Sequence, residues 1–388
     1  MANIFQVELS GGRHRSCEIN LPATDYELMD ALDKLQMQPG DTPKWEILQH
    51  NRTANLEVYL SDCSIYELNA FARKLGVMTK AQRGAFEGLF QMALAKREGP
   101  MCMEDLFTYA NSTESCHTLP EVWLDSQLGR FYVENDFIPE LEGIPDFAIE
   151  RLDFAKIGRE MREGEHGVFT NYGYVLQDGP LIPDLSNHNA PPKTPEYTLR
   201  LLIGRYPFET GGDPEVTTTL DLPADLDELI KAMEHVGAAS WEEVIFTVED
   251  SAIPGFPEDL YGNSFEELND YAQTVKEVQD AGALPKLKAV LSTKFCSNVQ
   301  EAMELAEQLD HYYLEQRLHD PVEIAEQEIR DYIPANKVDA LLKNMNLYNY
   351  GMEVMREYGS QLTEYGLVTP DEPQTLEQAE SNAPQMMM

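Results

Sequence analysis

Residues Ser64–Leu75 read S-I-Y-E-L-N-A-F-A-R-K-L, and Ser264–Val275 read S-F-E-E-L-N-D-Y-A-Q-T-V. In each, a serine is followed three positions on by Glu67 or Glu267. This is the pattern of a capping box: the hydroxyl takes a free N–H of the first helical turn, and the carboxylate reaches back to the serine N–H. Ile65, Leu68, Ala72 and Leu75 then recur at helical spacing, as do Phe265, Leu268, Ala272 and Val275. One such match describes any amphipathic surface helix. Two in the same register predict a duplicated unit, whose other parts should recur in the same order.

They do recur. Ile4–Leu9 alternates as a strand with Phe5, Val7 and Leu9 on one face, Gly11-Gly12 turns, and Ser16–Leu21 is a second strand. L-P-A-T-D-Y-E-L then opens a helix with Thr24 and Glu27 as its capping box and Leu28, Ala31 and Leu32 as its stripe. Pro39-Gly40 ends it, Trp45–Leu48 reads as a short buried strand, and the Ser64 helix follows, with Gly76 as its stop. After Pro195 come a strand over Glu196–Ile203 and another over Val216–Leu222. L-P-A returns at Leu222–Ala224, with Asp225 and Glu228 as caps, and Trp241-Glu242 matches Trp45-Glu46 before the Ser264 helix. F-A-K-I-G-R-E-M (Phe154–Met161) aligns with L-Y-N-Y-G-M-E-V (Leu347–Val354), and Tyr172–Val175 with Tyr365–Val368. The expected fold is α+β. A first copy covers 1–178, a Pro-rich linker 179–195, a second copy 196–370, and a disordered tail 371–388. Each copy is built of small α/β and helical sub-domains. In the second, a helix is expected over Asn298–Leu318, with Ala302, Leu305, Leu309 and Tyr312 on one side.

Charge is the unusual feature of the composition. The 388 residues carry 68 acidic and 29 basic side chains, a net charge of −39. Residues 1–200 hold 31 acidic against 18 basic, and residues 201–388 hold 37 against 11. Such an excess works against compactness through self-repulsion. It is solvating in the plainest reading; in a sharper one it imitates a polyanion, since about 20 base pairs of duplex carry about 40 charges. Cys17, Cys63, Cys102, Cys116 and Cys296 form no C-x-x-C or even framework and read as reduced thiols, which favours the cytoplasm. The start lacks a basic and apolar leader, and no 18-residue apolar run predicts a membrane span. The eight histidines show no H-E-x-x-H spacing, and there is no P-loop, no G-x-G-x-x-G and no EF-hand loop. Neither an enzyme, nor a metal site, nor a cofactor is expected. Basic patches interleaved with aromatics are also missing, so direct nucleic-acid binding is not expected.

The order of these signals resembles the ArdA family of antirestriction proteins. Its carriers are the L-P-A-T-D-x-E-L helix start, the Ser64 helix, L-G-R-F-Y-V-E-N-D-F-I-P-E-L (Leu128–Leu141), and L-D-F-A-K-I-G-R-E-M followed by Y-G-Y-V. The likeness covers nearly all of the first copy and, in the second, the helix starts and the end. It implies an elongated, acidic, non-enzymatic protein that imitates bent B-form DNA and competitively occupies the DNA-binding groove of type I restriction–modification enzymes, commonly as a dimer. Two copies in one chain depart from that pattern and suggest a covalent pseudo-dimer, or a homodimer of such chains. The first copy departs further in carrying basic pairs, Arg13/Arg15 and Lys96/Arg97. A rival of another class is an acidic scaffold of a mobile element whose helices bind a protein partner and whose charge only solvates it; a third is a buffer of divalent cations.

Carboxylates spaced along a surface could take the Lys and Arg that a DNA-binding enzyme aims at phosphates. In the first copy the best stretch holds Glu121, Asp125, Glu134, Asp136, Glu140, Glu142, Asp146 and Glu150 against Arg130 alone, with Pro139 and Pro145 breaking it into short pieces. In the second copy the candidates are Glu258, Asp259, Glu266, Asp270, Glu277, Asp280, Glu301, Glu304, Glu307 and Asp310, with Glu267 assigned to a cap.

Overall fold

The computed structural model describes residues 3–371 except 13–14, 39, 51–55, 57–59, 61, 97–100, 142, 207–215, 256–262, 295 and 297. Along the chain lie β1 (Phe5–Ser10), β2 (Ser16–Leu21), α1 (Asp25–Leu35), β3 (Lys44–His50), α2 (Ile65–Val77), α3 (Lys80–Lys96), α4 (Met103–Asn111) and β4 (Cys116–Leu119). Then come α5 (Asp125–Glu134), α6 (Asp146–Ile149), α7 (Phe154–Glu165), β5 (Val168–Thr170) and β6 (Gly173–Gln177). The remainder holds β7 (Leu199–Arg205), β8 (Thr217–Leu222), α8 (Leu226–Val236), β9 (Val244–Ser251), α9 (Phe265–Asp280), α10 (Leu284–Thr293), α11 (Val299–Glu307) and β10 (Tyr312–Glu315). It closes with α12 (Pro321–Tyr332), α13 (Ala335–Asn344), α14 (Leu347–Tyr358), β11 (Gln361–Thr363) and β12 (Gly366–Pro370). The fold is mixed α+β, with helices outweighing four small sheets.

The chain forms two compact units. One comprises Met1–Ser10, Glu18–Ala23 and Thr42–Pro191; the other comprises Gly11–Cys17, Thr24–Asp41 and Pro192–Met388. The second unit thus includes α1.

The first unit's sheet has the order β2-β1-β3, and Phe5, Val7 and Leu9 of β1 are buried on one face. In the second unit β8-β7-β9 repeats that order, and Leu199, Leu201 and Ile203 are fully buried. The central strand of each sheet slips register against its third strand at a corresponding place, Gln6/Val7 and Arg200/Leu201. Leu21-Pro22 and Leu222-Pro223 are both cis. All four capping boxes form. Glu67 N donates to Ser64 Oγ at 3.2 Å and Ser64 N to Glu67 Oε2 at 2.8 Å, while the Ser264–Glu267 pair gives 3.2 and 2.7 Å. Thr24/Glu27 and Asp225/Glu228 do the same for α1 and α8. The indole Nε1 of Trp45 donates to Cys63 O at 2.9 Å and that of Trp241 to Asn263 O at 3.3 Å, so each tryptophan is fixed to the residue just before its cap serine. The far sheets also match, with orders β4-β6-β5 and β10-β12-β11.

Several expectations change. β3 is half-buried to exposed, because it is an edge strand. Gly76 does not stop α2; the helix runs to Val77, and Thr79 and Gln82 at once begin α3 by bonding each other's main-chain N–H. The helix expected over Asn298–Leu318 ends at Glu307. Tyr312–Glu315 instead pairs antiparallel with Leu367–Pro370, a partner that a single-segment period does not reveal and that suits the aromatic residues there. The Pro-rich stretch forms no helix or strand, as expected, but it is held down on the first unit. Asp184 meets Lys74 at 2.7 Å, the His188 ring stacks on Phe107 at 3.7 Å between centroids, and Ser64 Oγ donates to Asn189 Oδ1 at 2.6 Å. Arg13, Arg97, Pro39 and the tail after residue 371 lie outside the described residues.

Candidate functional site

The stretch Glu121–Glu150 is short helices and turns: α5, a single 3-10 turn at Pro139–Leu141, and α6. Each proline opens a new piece, since it cannot donate to a continuing helix. α5 crosses α7 with main chain against main chain. A Cβ on Gly129 would lie 2.0 Å from Phe154 O, and one on Gly158 would lie 1.8 Å from Asp125 O, so only hydrogen fits. Below the crossing, Val122, Leu128, Tyr132 and Tyr174 form a small core with Phe131, Met161 and Phe169 packed on it. Tyr132 and Tyr174 both donate to the Glu165 carboxylate, at 2.5 and 3.0 Å, which gives that buried polar edge its partners. With the apolar stripe turned inward, the charged positions are left outside.

Glu121, Glu134, Asp136, Glu140 and Glu150 are exposed. Two of them occupy backbone that disfavours side chains: φ is +66° at Glu121 and +56° at Asp136. Asp136 follows the last turn of α5, its N–H bonding Val133 O while Phe137 N–H bonds Tyr132 O, the place where glycine usually closes a helix. Two other candidates are partly spent on structure. Arg162 Nε donates to Asp125 Oδ1 at 2.8 Å, and that guanidinium, with Arg159, holds the Asp125 carboxyl below the usual carboxylate range. Glu134 pairs with Arg130 at 3.2 Å, and the Arg130 guanidinium lies over Phe154. Glu142 lies outside the described residues, as does the side chain of Asp146.

In the second unit Glu266, Asp270, Glu277 and Asp280 are exposed along α9, and Glu304, Glu307 and Asp310 are exposed on α11 and the turn after it. Glu301 is half-buried in the first turn of α11, where its N–H meets the Asn298 cap at 3.0 Å. Glu267 is a cap, as expected. Glu258 and Asp259 lie outside the described residues.

Sequence reasoning misses the part of the second unit built like α5–α7. Here α12 crosses α14, and a Cβ on Gly351 would lie 1.8 Å from Pro321 O, the same exclusion as Gly158 with Asp125. Exposed Asp331, Glu353 and Glu357 stand on these helices, and exposed Asp339 on α13 between them, beside exposed Tyr332 and Tyr348. The signal that could find them is the alignment of Leu347–Val354 with Phe154–Met161.

Among the described residues no three His, Cys, Asp or Glu side chains gather in a geometry for a metal ion, and no helix is long and apolar enough to cross a membrane. No protein-family model matches the chain, and no curated protein matches it either.

Proposed function

We propose that the protein is an antirestriction protein of ArdA type, made of two copies of one unit, which imitates B-form DNA and occupies the DNA-binding groove of a type I restriction–modification enzyme in the cytoplasm. The observation that carries this reading is the placement of Glu121 and Asp136. Both are exposed carboxylates on left-handed backbone that glycine would adopt at lower cost. A surface that needs charge only for solubility has cheaper positions for it. Glu140 and Glu150 continue the exposed series. The net charge of −39 supplies the long-range attraction for a basic groove. Exposed Tyr332, Tyr348, Phe137 and Phe147 favour a second reading, an acidic scaffold that docks a protein partner through these rings.

The test is displacement of labelled duplex DNA from a type I methyltransferase core at two salt concentrations. A groove-filling mimic displaces the duplex, and displacement weakens steeply with salt. Charge reversal at Asp136 and Glu140, with the fold intact by circular dichroism, abolishes it. Absence of displacement at every salt concentration leaves the scaffold reading in front.

A further inference from the structure

Within the second unit, α1 is docked on α10 around a buried ion cluster. Lys288 Nζ lies 2.9 Å from Asp30 Oδ1 and 3.0 Å from Asp33 Oδ2, and its side chain is 1% exposed. The Tyr365 hydroxyl donates to Asp30 Oδ1 at 2.8 Å, and Lys34 bridges Asp30 and Glu364 at 3.2 and 2.7 Å. One ammonium is therefore shared by two carboxylates that stand three residues apart on α1.

Both sides of this contact have counterparts elsewhere in the chain. On the receiving side, Phe86–Phe90 of α3 and Leu287–Leu291 of α10 are five-residue runs buried throughout. A Cβ on Gly88 would meet the side chain of Val175, and Ala289 packs in one cluster with Val368. The hairpin turns beside them are the same. Thr170 Oγ1 accepts from Tyr172 N at 3.1 Å, and Thr363 Oγ1 accepts from Tyr365 N at 3.1 Å. Glu87 thus stands where Lys288 stands. On the inserting side, α1 and α8 start from matching capping boxes at Thr24 and Asp225, so Asp30, Asp33 and Lys34 correspond to Lys231, Glu234 and His235.

The charges are exchanged. In the docked cluster the lysine is on the receiving helix and both carboxylates are on the inserting one. In the counterpart pair one carboxylate, Glu87, is on the receiving helix, while the lysine and the second carboxylate, Lys231 and Glu234, are three residues apart on α8. The set of one ammonium and two carboxylates is the same: the lysine and one carboxylate have changed helices, while Glu234 keeps the place of Asp33. Yet Glu87 is 8% exposed and among the described residues meets only the amides of Gln91 and Asn171, at 3.2 and 3.3 Å. Burial pushes its carboxyl above the usual range. Lys231, Glu234 and His235 are all exposed, unlike their covered counterparts on α1, and Ile230 beside them is 40% exposed.

We infer that the α3 face around Glu87 and Tyr172 is a docking site for α8 of a second copy of this chain, with Lys231 entering between Glu87 and Glu234. Nothing in this inference depends on DNA mimicry. A face of one kind meeting a face of another is a heterologous contact, which can pass from copy to copy.

The experiment is sedimentation velocity on the full chain over a rising concentration series, without DNA or enzyme. The unaltered protein shows mass increasing with concentration. Lys231→Glu shifts that association to concentrations at least about tenfold higher, because a buried charge pair is left without one partner. Glu87→Lys does the same, and mixing the two variants restores association, since a Glu from one then meets a Lys from the other. A mass that stays monomeric in the unaltered protein overturns the inference, as does a mixture no more associated than its parts. Lys231 is exposed, so its variant tests the docking even if Glu87→Lys fails to fold, and unchanged association in Lys231→Glu is equally fatal.

Discussion

Gly158 and the carbonyl of Asp125 touch with no space for a methyl group: a Cβ on Gly158 would sit 1.8 Å from that oxygen. The obstruction is main chain on both sides, so no side-chain rotation relieves it. Gly158→Ala is expected to cost about 3 kcal/mol, the upper end of overpacking penalties. Gly351→Ala should behave alike, because its Cβ would sit 1.8 Å from Pro321 O. Urea denaturation of both variants checks this, and a midpoint unchanged in either would mean that the two helix crossings are not close-packed.

Removing Lys288 tests the buried cluster. Burial alone pushes the Asp30 carboxyl up, but the Lys288 and Lys34 ammonium groups outweigh it and hold Asp30 below the usual range. A carboxylate depressed in the fold contributes stability above its unfolded pKa and loses it as pH falls through its folded one. Lys288→Met leaves Asp30 buried with Lys34 as its remaining cation and is expected to cost about 3–5 kcal/mol near neutral pH. The gap between variant and parent should narrow as pH falls below about 4, where Asp30 takes up its proton in the variant first. Asp33, already raised by burial, loses Lys288 in the same variant, so its proton uptake narrows the gap in the same direction. Thermal melts across about pH 3–8 decide it, and a gap independent of pH would show that Asp30 is not the group relieved.

The strap at 179–191 offers a local test. The Asp184 side chain is 4% exposed beside Lys74. Burial pushes its carboxyl up, but Lys74 and the Ser186 N–H prevail and hold it below the usual range. Asp184→Ala should cost about 1–3 kcal/mol, the penalty for stripping a buried partner. Amide exchange of Ser186 and Asn189 should quicken with it. Protection that persists would mean that the His188–Phe107 stacking and the Ser64–Asn189 hydrogen bond retain the strap without Asp184.

How far the sequence reveals this molecule depends on whether a signal is local. The four capping boxes are legible because each needs only residues i and i+3, and Ser64, Thr24, Asp225 and Ser264 all cap as expected. Helical spacing wrongly draws in Tyr312, because its strand partner, Pro370, is 58 positions away in sequence. The Lys288 cluster is invisible for the same reason, since nothing near Lys288 in sequence announces Asp30. Exposure of Asp136 and Glu140 follows from the apolar stripe beside them, whereas the engagement of Asp125 requires Arg162, on another helix. The left-handed backbone at Asp136 can be guessed only as a helix end, since aspartate there carries none of glycine's signal.

That backbone yields the prediction in which stability and function move in opposite directions. Asp136 has φ +56° at the position closing α5, and Glu121 has φ +66°. Glycine adopts this region without the clash between Cβ and carbonyl that costs other residues about 1–2 kcal/mol. Asp136→Gly and Glu121→Gly should therefore each raise the unfolding free energy, by about 1 kcal/mol. If these carboxylates stand in for phosphates, the same changes weaken displacement of DNA from the methyltransferase core. Together they should lower the log–log salt slope of that displacement by about 2, near one for each carboxylate removed. Aspartate retained only for solubility predicts the stability gain with displacement and slope untouched, and that pair of results would remove Glu121 and Asp136 from the proposed interface.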